Sequence, residues 1–353
     1  MIKRFIIVLI FLVSFSNAQI YELSIDPNDT STYEHADFKI WIDESIDTLA
    51  GVYWFIHGFN LDSREIVNDL NFQFITSNKK FALMGVHLSN MNMNSGIGDA
   101  VLSFMDSISV LSNRPELSNI PFFINGYSWG GQFGYHFARW IPEKILGLIS
   151  QKGGYHDTVF SHSALEIPML LIVGENDLQY RIENLSSIFY NHRQYGAKWA
   201  FLVEKNASHA QVSDDHFLNS YFNEVINMRL NDNTDYYQPI LLNNLIDSTS
   251  WLGNNKLLNI DSWGCYLYNQ DSSSWLISRK IANHWKKFNS QDTLLIEYNL
   301  DINEDCLIGM DDVLFLVDIL LNKKTNNLFV DYNQDLILNI FDFYIFVEKI
   351  YFE

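Results

Sequence analysis

Residues 121–140 read PFFINGYSWGGQFGYHFARW, and this stretch decides the fold. The apolar residues 121–125 are followed by the pentapeptide GYSWG, with Ser128 at its centre, and then by an amphipathic stretch that ends at Trp140. The order predicts a buried strand, a sharp turn and a helix, because small residues on both sides of Ser128 let backbone segments approach closely. Such a turn exposes the Ser128 hydroxyl at the carboxyl end of the strand, whereas an ordinary glycine-rich turn is the alternative interpretation.

The same alternation continues along the chain on both sides of this stretch. Short, nearly continuous apolar runs are separated by longer amphipathic stretches, and residues 181–195 are long enough for a crossover helix. Apolar strands of this kind are typical of a parallel sheet that is covered on both faces. The sequence therefore predicts the α/β class with a mostly parallel sheet. The predicted strands are residues 38–42, 52–56, 81–86, 121–125, 145–149, 169–173 and 199–203.

A serine hydroxyl becomes a nucleophile only beside a base, and the base needs an orienting carboxylate. Asp177 follows the predicted strand 169–173, and His209 follows the predicted strand 199–203. Both residues therefore leave strands at the sheet edge to which Ser128 is assigned, and the three are the predicted catalytic residues. Glu175 is a competing acid that reads as a surface charge, and His156, His162 and His216 are competing bases that read as structural or exposed histidines.

An oxyanion formed at Ser128 needs backbone N–H groups as hydrogen-bond donors. Trp129 supplies one donor because it directly follows the serine. The sequence Phe55-Ile56-His57-Gly58-Phe59 ends an early strand, and the N–H of Phe59 is the predicted second donor. A plain turn at the end of the strand is the alternative for this segment.

Residues from about 35 to 225 resemble the α/β-hydrolase superfamily, and in particular secreted esterases akin to feruloyl esterases and polyhydroxyalkanoate depolymerases. The matching pieces are FIHG at 55–58, GYSWGG at 126–131, GEND at 174–177 and Ser208-His209. The resemblance implies hydrolysis of a carboxylic ester through an acyl-enzyme, without a metal. A serine peptidase of the same fold and a non-catalytic binding or scaffold protein are the alternatives.

The first residues have the pattern of a cleaved signal peptide, residues 1–18. A basic start precedes a short apolar run and the small residues Ser16 and Ala18. The run is shorter than the about 20 apolar residues of a membrane-spanning helix, so we expect a secreted protein without a membrane span after cleavage. The formal net charge of −19 argues against a nucleic-acid partner. Cys265 and Cys306 are the two cysteines, and a bridge or two free thiols are equally compatible with the sequence.

The strand and helix alternation predicts a catalytic domain at 19–228, and it fades afterwards. Residues 229–296 are rich in Asn, Asp and Ser and carry four tryptophans. We interpret them as a small connecting module of unassigned fold that packs on the hydrolase domain. Tryptophans buried in its core are the expectation, and an aromatic surface that contacts carbohydrate is the alternative.

Residues 297–353 carry 12 acidic residues against 3 lysines, and the acidic residues recur at fixed offsets. Oxygen-bearing side chains occupy positions 1, 3, 5 and 12 of two stretches that lie 30 residues apart. Calcium takes about six to eight oxygen ligands, and a loop of about 12 residues supplies them at this spacing. Two acidic helix starts capped by Asp are the alternative. The predicted calcium ligands are Asp301, Asn303, Asp305 and Asp312 in the first loop, and Asp331, Asn333, Asp335 and Asp342 in the second.

This tail resembles a dockerin type I module, which has two such calcium loop–helix units. The resemblance implies structural calcium and docking to a cohesin-type scaffold protein, and through that association an ester of a plant or algal polysaccharide as the substrate. Position 6 of each loop departs from the expected glycine, since it holds Cys306 and Leu336. A side chain at a position that favours positive φ lowers the expected stability of the loop.

Overall fold

The structure is a computed structural model that describes residues 18–231, 234–290, 300–303, 305–322, 330–332 and 337–352. The predicted signal peptide lies outside the described residues except for Ala18. The predicted calcium ligands Asn333 and Asp335 also lie outside them.

An eight-stranded sheet forms the centre of the molecule, and all seven predicted strands are present in it. Its strand order is β1-β2-β4-β3-β5-β6-β7-β8; β1 and β2 are antiparallel to their neighbours and β4, β3, β5, β6, β7 and β8 run parallel. The predicted α/β class with a mostly parallel sheet is therefore confirmed. The strands are β1 Ala18–Ser24, β2 Ala36–Asp43, β3 Gly51–Ile56, β4 Phe81–Leu88, β5 Phe122–Tyr127, β6 Ile145–Gln151, β7 Met169–Gly174 and β8 Trp199–Glu204.

Strand β1 is an addition to the predicted set. It lies at the edge of the sheet, pairs only with β2 among the described strands, and is mostly exposed. An edge strand of this kind needs no continuous apolar run, so its sequence AQIYELS carries no hydrophobic signal.

Helices cover both faces of the sheet. The predicted helices at residues 130–140 and 181–195 correspond to α3 and α4. Helices α2, α3 and α4 bury Phe104, Phe137 and Leu185 in one core, whereas α5 and α6 bury Phe222 and Trp285 in the core of the other face. The helices are α1 Leu70–Ser77, α2 Ile97–Leu111, α3 Trp129–Trp140, α4 Gln179–Arg193, α5 Asp215–Arg229, α6 Arg279–Ser290, α7 Met310–Leu321 and α8 Ile340–Phe352.

The region after α5 packs against the edge strand β8. It contains a small antiparallel sheet, in the order β10-β9-β11, formed by β9 Trp251–Gly253, β10 Ile260–Ser262 and β11 Ser274–Leu276. Trp275 and Trp285 are buried in the same core as β8, and the indole N–H of Trp285 donates to the Phe201 carbonyl at 2.9 Å. These two tryptophans are core residues, as expected, and the region continues the core on that face of the eight-stranded sheet.

The C-terminal region has a small core of its own. Helices α7 and α8 follow the two acidic stretches and enclose Leu316, Tyr332 and Phe346. A disulfide between Cys265 and Cys306 joins this region to the small antiparallel sheet region, which resolves the two alternatives that the sequence left open. Within the described part of the chain, no helix is both long and apolar enough to span a bilayer.

Candidate active site

Ser128 lies at a sharp turn between β5, which ends at Tyr127, and α3, which begins at Trp129. Its backbone has φ 54° and ψ −118°, an unusual conformation for a residue with a side chain. Holding a residue in such a conformation costs about 1–3 kcal/mol, and it persists only where the surroundings enforce it. Here the Ser128 N–H donates to the Gln151 carbonyl at 2.8 Å, which extends the β5–β6 pairing into the turn.

Glycines make the turn possible because backbone segments cross on both sides of the serine. A Cβ on Gly126 would overlap the backbone of Gly130, and a Cβ on Gly130 would overlap the carbonyl oxygens of Ile56 and His57. A Cβ on Gly58 would lie 3.2 Å from the Cβ of Ser128. The predicted crowding around Ser128 is therefore confirmed.

The three predicted side chains meet in one hydrogen-bonded chain. Ser128 Oγ lies 2.8 Å from Nε2 of His209, and Nδ1 of His209 lies 2.7 Å from Oδ2 of Asp177. Asp177 follows β7 and His209 follows β8, and both strands run parallel to β5, so the three residues leave the sheet at one edge. This is the arrangement in which a carboxylate orients an imidazole and the imidazole accepts a serine proton.

Asp177 is held as a carboxylate. Its side chain is 2% exposed and accepts hydrogen bonds from Arg181 at 2.8 Å and from the Leu178 N–H at 2.7 Å. Burial alone would raise the pKa of Asp177, but the hydrogen bonds from His209, Arg181 and Leu178 together lower it below its ordinary value. Asp177 therefore stays ionised at neutral pH and keeps its hydrogen bond to the imidazole.

A buried lysine supports the loop that carries His209. The Lys152 ammonium is fully buried, pairs with Glu204 at the end of β8, and donates to the Ala210 carbonyl directly after His209. The Tyr127 hydroxyl donates to the His209 carbonyl at 3.0 Å. Sequence reasoning missed both residues, because Lys152 stands alone after a strand and Tyr127 occupies a variable position of the motif.

The competing residues lie outside this chain of hydrogen bonds. Glu175 is exposed, pairs with Lys205 at 3.0 Å and accepts the Asn206 N–H at 2.9 Å, which agrees with a surface charge. His156 is fully buried beside Ser150, and burial lowers its pKa to about 3. The exposed side chains of His162 and His216 contact other aromatic rings, those of Phe160 and His284.

The two residues that are predicted to supply the oxyanion donors have side chains in contact. The rings of Phe59 and Trp129 pack edge to face with centroids 4.2 Å apart, which places the loop after β3 against the start of α3. Within the described part of the chain, neither N–H donates to a backbone or side-chain acceptor.

A cleft of about 460 Å³ has the side chain of Trp129 in its lining. The loop after β4 forms one wall, and α3 forms another through Gln132 and His136. Burial, followed by the charge of Arg139, lowers the pKa of His136, so its imidazole is neutral at neutral pH. Of the described residues that line the cleft, none is lysine or arginine. The polar residues of the lining are Asn90, Asn92, Asn94, Gln132, His136 and Asp157.

Asp312, the last predicted calcium ligand of the first loop, is 1% exposed. Its two carboxylate oxygens accept the N–H groups of Ile302 and Gly309, both at 2.8 Å. Asp301 accepts the N–H groups of Asp305 and Cys306, and Asn303 also accepts that of Asp305. Cys306 has φ 72°, the conformation in which glycine is favoured.

The described part of the second loop repeats these contacts at an offset of 30 residues. Asp342 is fully buried, and its two oxygens accept the N–H groups of Tyr332 and Asn339 at 2.7 and 2.8 Å. Asp331, which corresponds to Asp301 of the first loop, directly precedes Tyr332. Among the described residues, the backbone contacts of Asp312 and Asp342 thus repeat at the same offset as the sequence.

A mostly parallel sheet with a serine at a strand-to-helix turn, followed along the chain by an aspartate and a histidine on loops at the same edge, defines the α/β-hydrolase fold. The fold that the resemblance implied is therefore confirmed for the sheet domain.

Several solved structures show a distant likeness to part of this chain. S-formylglutathione hydrolase of Staphylococcus aureus is 16% identical, with 60% of this chain and 97% of that chain covered and a TM-score of 0.44. A ferulic acid esterase is 10% identical, with 59% and 95% covered and a TM-score of 0.42. The poly(3-hydroxybutyrate) depolymerase LpqC of Bordetella parapertussis is 11% identical, with 61% and 92% covered and a TM-score of 0.45. No protein-family profile and no curated protein sequence matches the chain.

Replacing Gly130 with Ala should destabilise the protein, because the added methyl group must push the Ile56 and His57 carbonyls out of the turn. We expect a loss of about 1–3 kcal/mol, typical of overpacking a closely packed site. Gly264→Ala is the matched control, since nothing lies within 4 Å of a Cβ added there. Melting followed by circular dichroism should separate the two variants, and equal melting temperatures would contradict the crowded turn.

Proposed function

We propose that the protein is a secreted serine hydrolase that cleaves carboxylic esters through an acyl-enzyme. The observation that carries this proposal is the continuous hydrogen-bonded chain from Ser128 through His209 to the buried carboxylate of Asp177. Each residue holds the position that its role requires. Ser128, the nucleophile, lies at the strained turn; His209, the base, contacts its hydroxyl; and Asp177, the acid, orients the imidazole from the far side.

In the first half of the reaction, Nε2 of His209 takes the Ser128 proton as Oγ attacks the ester carbonyl carbon. The developing imidazolium is stabilised by Asp177, which keeps Nδ1 protonated. Collapse of the tetrahedral intermediate transfers the proton from Nε2 to the leaving alcohol and leaves the acyl group on Oγ. In the second half, water replaces the alcohol, and the same proton transfers release the acid and restore Ser128.

The oxyanion of each tetrahedral intermediate is assigned to the N–H groups of Trp129 and Phe59. Two features support the assignment: the side chains of the two residues pack together beside Ser128, and Gly58 lets the loop after β3 approach the serine without a side chain in between. Preorganised backbone donors of this kind stabilise the transition state by about 3–4 kcal/mol each.

The cleft beyond Trp129 supports a hydroxylated substrate such as a polysaccharide ester. Its amide side chains and neutral imidazole both donate and accept hydrogen bonds, which suits hydroxyl groups. The Trp129 ring offers an apolar face between the cleft and the serine. None of the described residues that line the cleft is Lys or Arg, so the lining does not favour a substrate with an anionic group.

For residues 297–353 we propose a calcium-bound, dockerin-like module that docks on a cohesin-type scaffold protein. The described donors fit calcium, because they are carboxylate and amide oxygens at the spacing of a calcium loop and because Asp312 and Asp342 repeat the same buried contacts. Calcium there would be held by Asp301, Asn303, Asp305 and Asp312, and by Asp331, Asn333, Asp335 and Asp342 in the second loop. It would neutralise the crowded carboxylates and take no part in ester hydrolysis.

Replacing Ser128 with Ala should abolish covalent labelling by a fluorophosphonate probe and the hydrolysis of nitrophenyl esters. Ser103→Ala, at an exposed serine of α2, should label and turn over like the wild type. Asp177→Asn should lower turnover by up to about 10⁴-fold, because the imidazole then adopts the wrong tautomer. Full labelling of the Ser128→Ala variant would rule out Ser128 as the nucleophile. Cleavage of peptide amides in preference to esters would favour the peptidase, and an unlabelled wild type would favour the non-catalytic protein.

Lys152→Met should lower kcat/KM while KM changes little, because the loop that carries His209 loses its buried anchor. A displacement of about 1 Å at a catalytic group costs on the order of 100-fold in rate. Lys205→Met removes the same charge from a partly exposed position of the same loop and should stay within about twofold. Nitrophenyl ester kinetics measure both variants, and equal effects would show that Lys152 does not position His209.

Calcium should raise the melting temperature of the C-terminal region in the full chain, since an ion that binds only the folded state adds about 2.7 kcal/mol at 100 times its Kd. Calorimetry with calcium and with chelator measures the shift, and esterase activity at moderate temperature should stay unchanged. Asp312→Asn should weaken the shift, whereas Asp318→Asn, at an exposed position of α7, should retain it. A melt that is identical with calcium and with chelator would contradict the calcium module.

A further inference from the structure

A second group of polar side chains lies at the same edge of the sheet as Ser128. It consists of His35, just before β2, Asp37 on β2 and His87 on β4. One ring nitrogen of each histidine and one carboxylate oxygen of Asp37 lie within 4.8 Å of one another. We call these three residues the His–Asp–His cluster.

Strand pairing brings the cluster together. Strands β2 and β4 are antiparallel, and Asp37 stands directly opposite His87 in the register. His35 precedes Asp37 by two residues, so both side chains point to the same face, and the Ser89 N–H donates to the His35 carbonyl at 3.1 Å to extend the pairing. Backbone pairing therefore fixes the positions of all three Cα atoms.

The polar atoms of the cluster are incompletely paired within the described residues. Nε2 of His35 is buried and has no hydrogen-bond partner there. Nδ1 of His87 lies 3.6 Å from Oδ2 of Asp37, which is longer than a hydrogen bond. Two ligands of one tetrahedral zinc ion, each about 2.0–2.2 Å from the metal, lie about 3.4 Å apart, so the observed separation matches a shared cation.

The surroundings of the cluster also suit a cation. The other carboxylate oxygen of Asp37 accepts the Ser24 hydroxyl at 2.5 Å, which orients the carboxylate. The nearby Arg64 guanidinium is compensated by two carboxylates, those of Glu22 at 2.6 Å and Asp62 at 2.7 Å. Lys39 is a second cation nearby, and it pairs with the carboxylate of Glu65 at 2.9 Å. The carboxylates around the cluster therefore still outnumber the cations.

We propose that His35, Asp37 and His87 bind a zinc ion, with solvent completing a four-coordinate site. Two imidazoles and one carboxylate are ligands that zinc accepts, whereas calcium prefers oxygen ligands alone. The ion joins the start of β2 to the end of β4. The loop after β4 follows directly and carries Asn90 and Asn92 of the cleft, so the ion fixes one wall of the cleft.

The test is a zinc titration of the full chain by calorimetry in excess calcium, which occupies oxygen-only sites. We expect one zinc site per chain, and an affinity lowered at least about 10–100-fold in His87→Ala and in His35→Ala. His162→Ala is the matched control, because it removes an exposed histidine elsewhere in the chain and should bind zinc like the wild type. Absence of zinc binding by the wild type, or equal binding by all three variants, would overturn the proposal.

Cobalt gives a second measurement that needs no variant. Co²⁺ in a four-coordinate nitrogen and oxygen site absorbs visible light much more strongly than hexaaqua Co²⁺. We expect wild-type protein to develop these bands on addition of Co²⁺ and to lose them on addition of Zn²⁺. A spectrum that stays that of the aqua ion would overturn the site, whether or not the histidine variants fold.

Discussion

The close backbone crossing at the Ser128 turn is the constraint on which the rest of the site depends. Gly130 lies so near the Ile56 and His57 carbonyls that a side chain there would force the end of β3 and the start of α3 apart. The positive φ of Ser128 is unfavourable by itself, and it is enforced by this packing and by the hydrogen bond to Gln151. The same crossing brings the loop after β3 and the start of α3 to the serine, where the proposed oxyanion donors lie.

Placement of the histidine depends on a second, less local constraint. A loop that leaves β8 could carry His209 in many directions, and it is tied down by the buried Lys152 ammonium and the Tyr127 hydroxyl. A buried cation is unfavourable unless it is paired, so Glu204 and the Ala210 carbonyl are held firmly around it. A charged residue in the core of this edge therefore stabilises the geometry of the catalytic chain.

Much of the fold could be predicted from the sequence because most of the seven predicted strands are buried on both faces and read as nearly continuous apolar runs. Assigning Ser128, Asp177 and His209 to one edge needed only the direction of parallel strands, and the hydrogen bonds between them agree with that assignment. The sequence did not predict strand β1 or the three-residue strands β9 to β11, because short or exposed strands show no clear hydrophobic periodicity. The role of Lys152 was missed, and the Cys265–Cys306 bridge stayed one of two alternatives, because each depends on a contact between segments far apart in sequence.

The antiparallel strand β2 explains why the His–Asp–His cluster was invisible in the sequence. In a wholly parallel sheet, a residue that precedes a strand lies at the edge opposite to the active site. Because β2 runs in reverse, His35 and Asp37 at its start meet His87 at the end of β4, on the edge that carries Ser128. One reversed strand thus adds a second polar centre to the catalytic edge. The loop after β4 lies between the two centres, so whatever orders the cluster also orders the cleft beside Trp129.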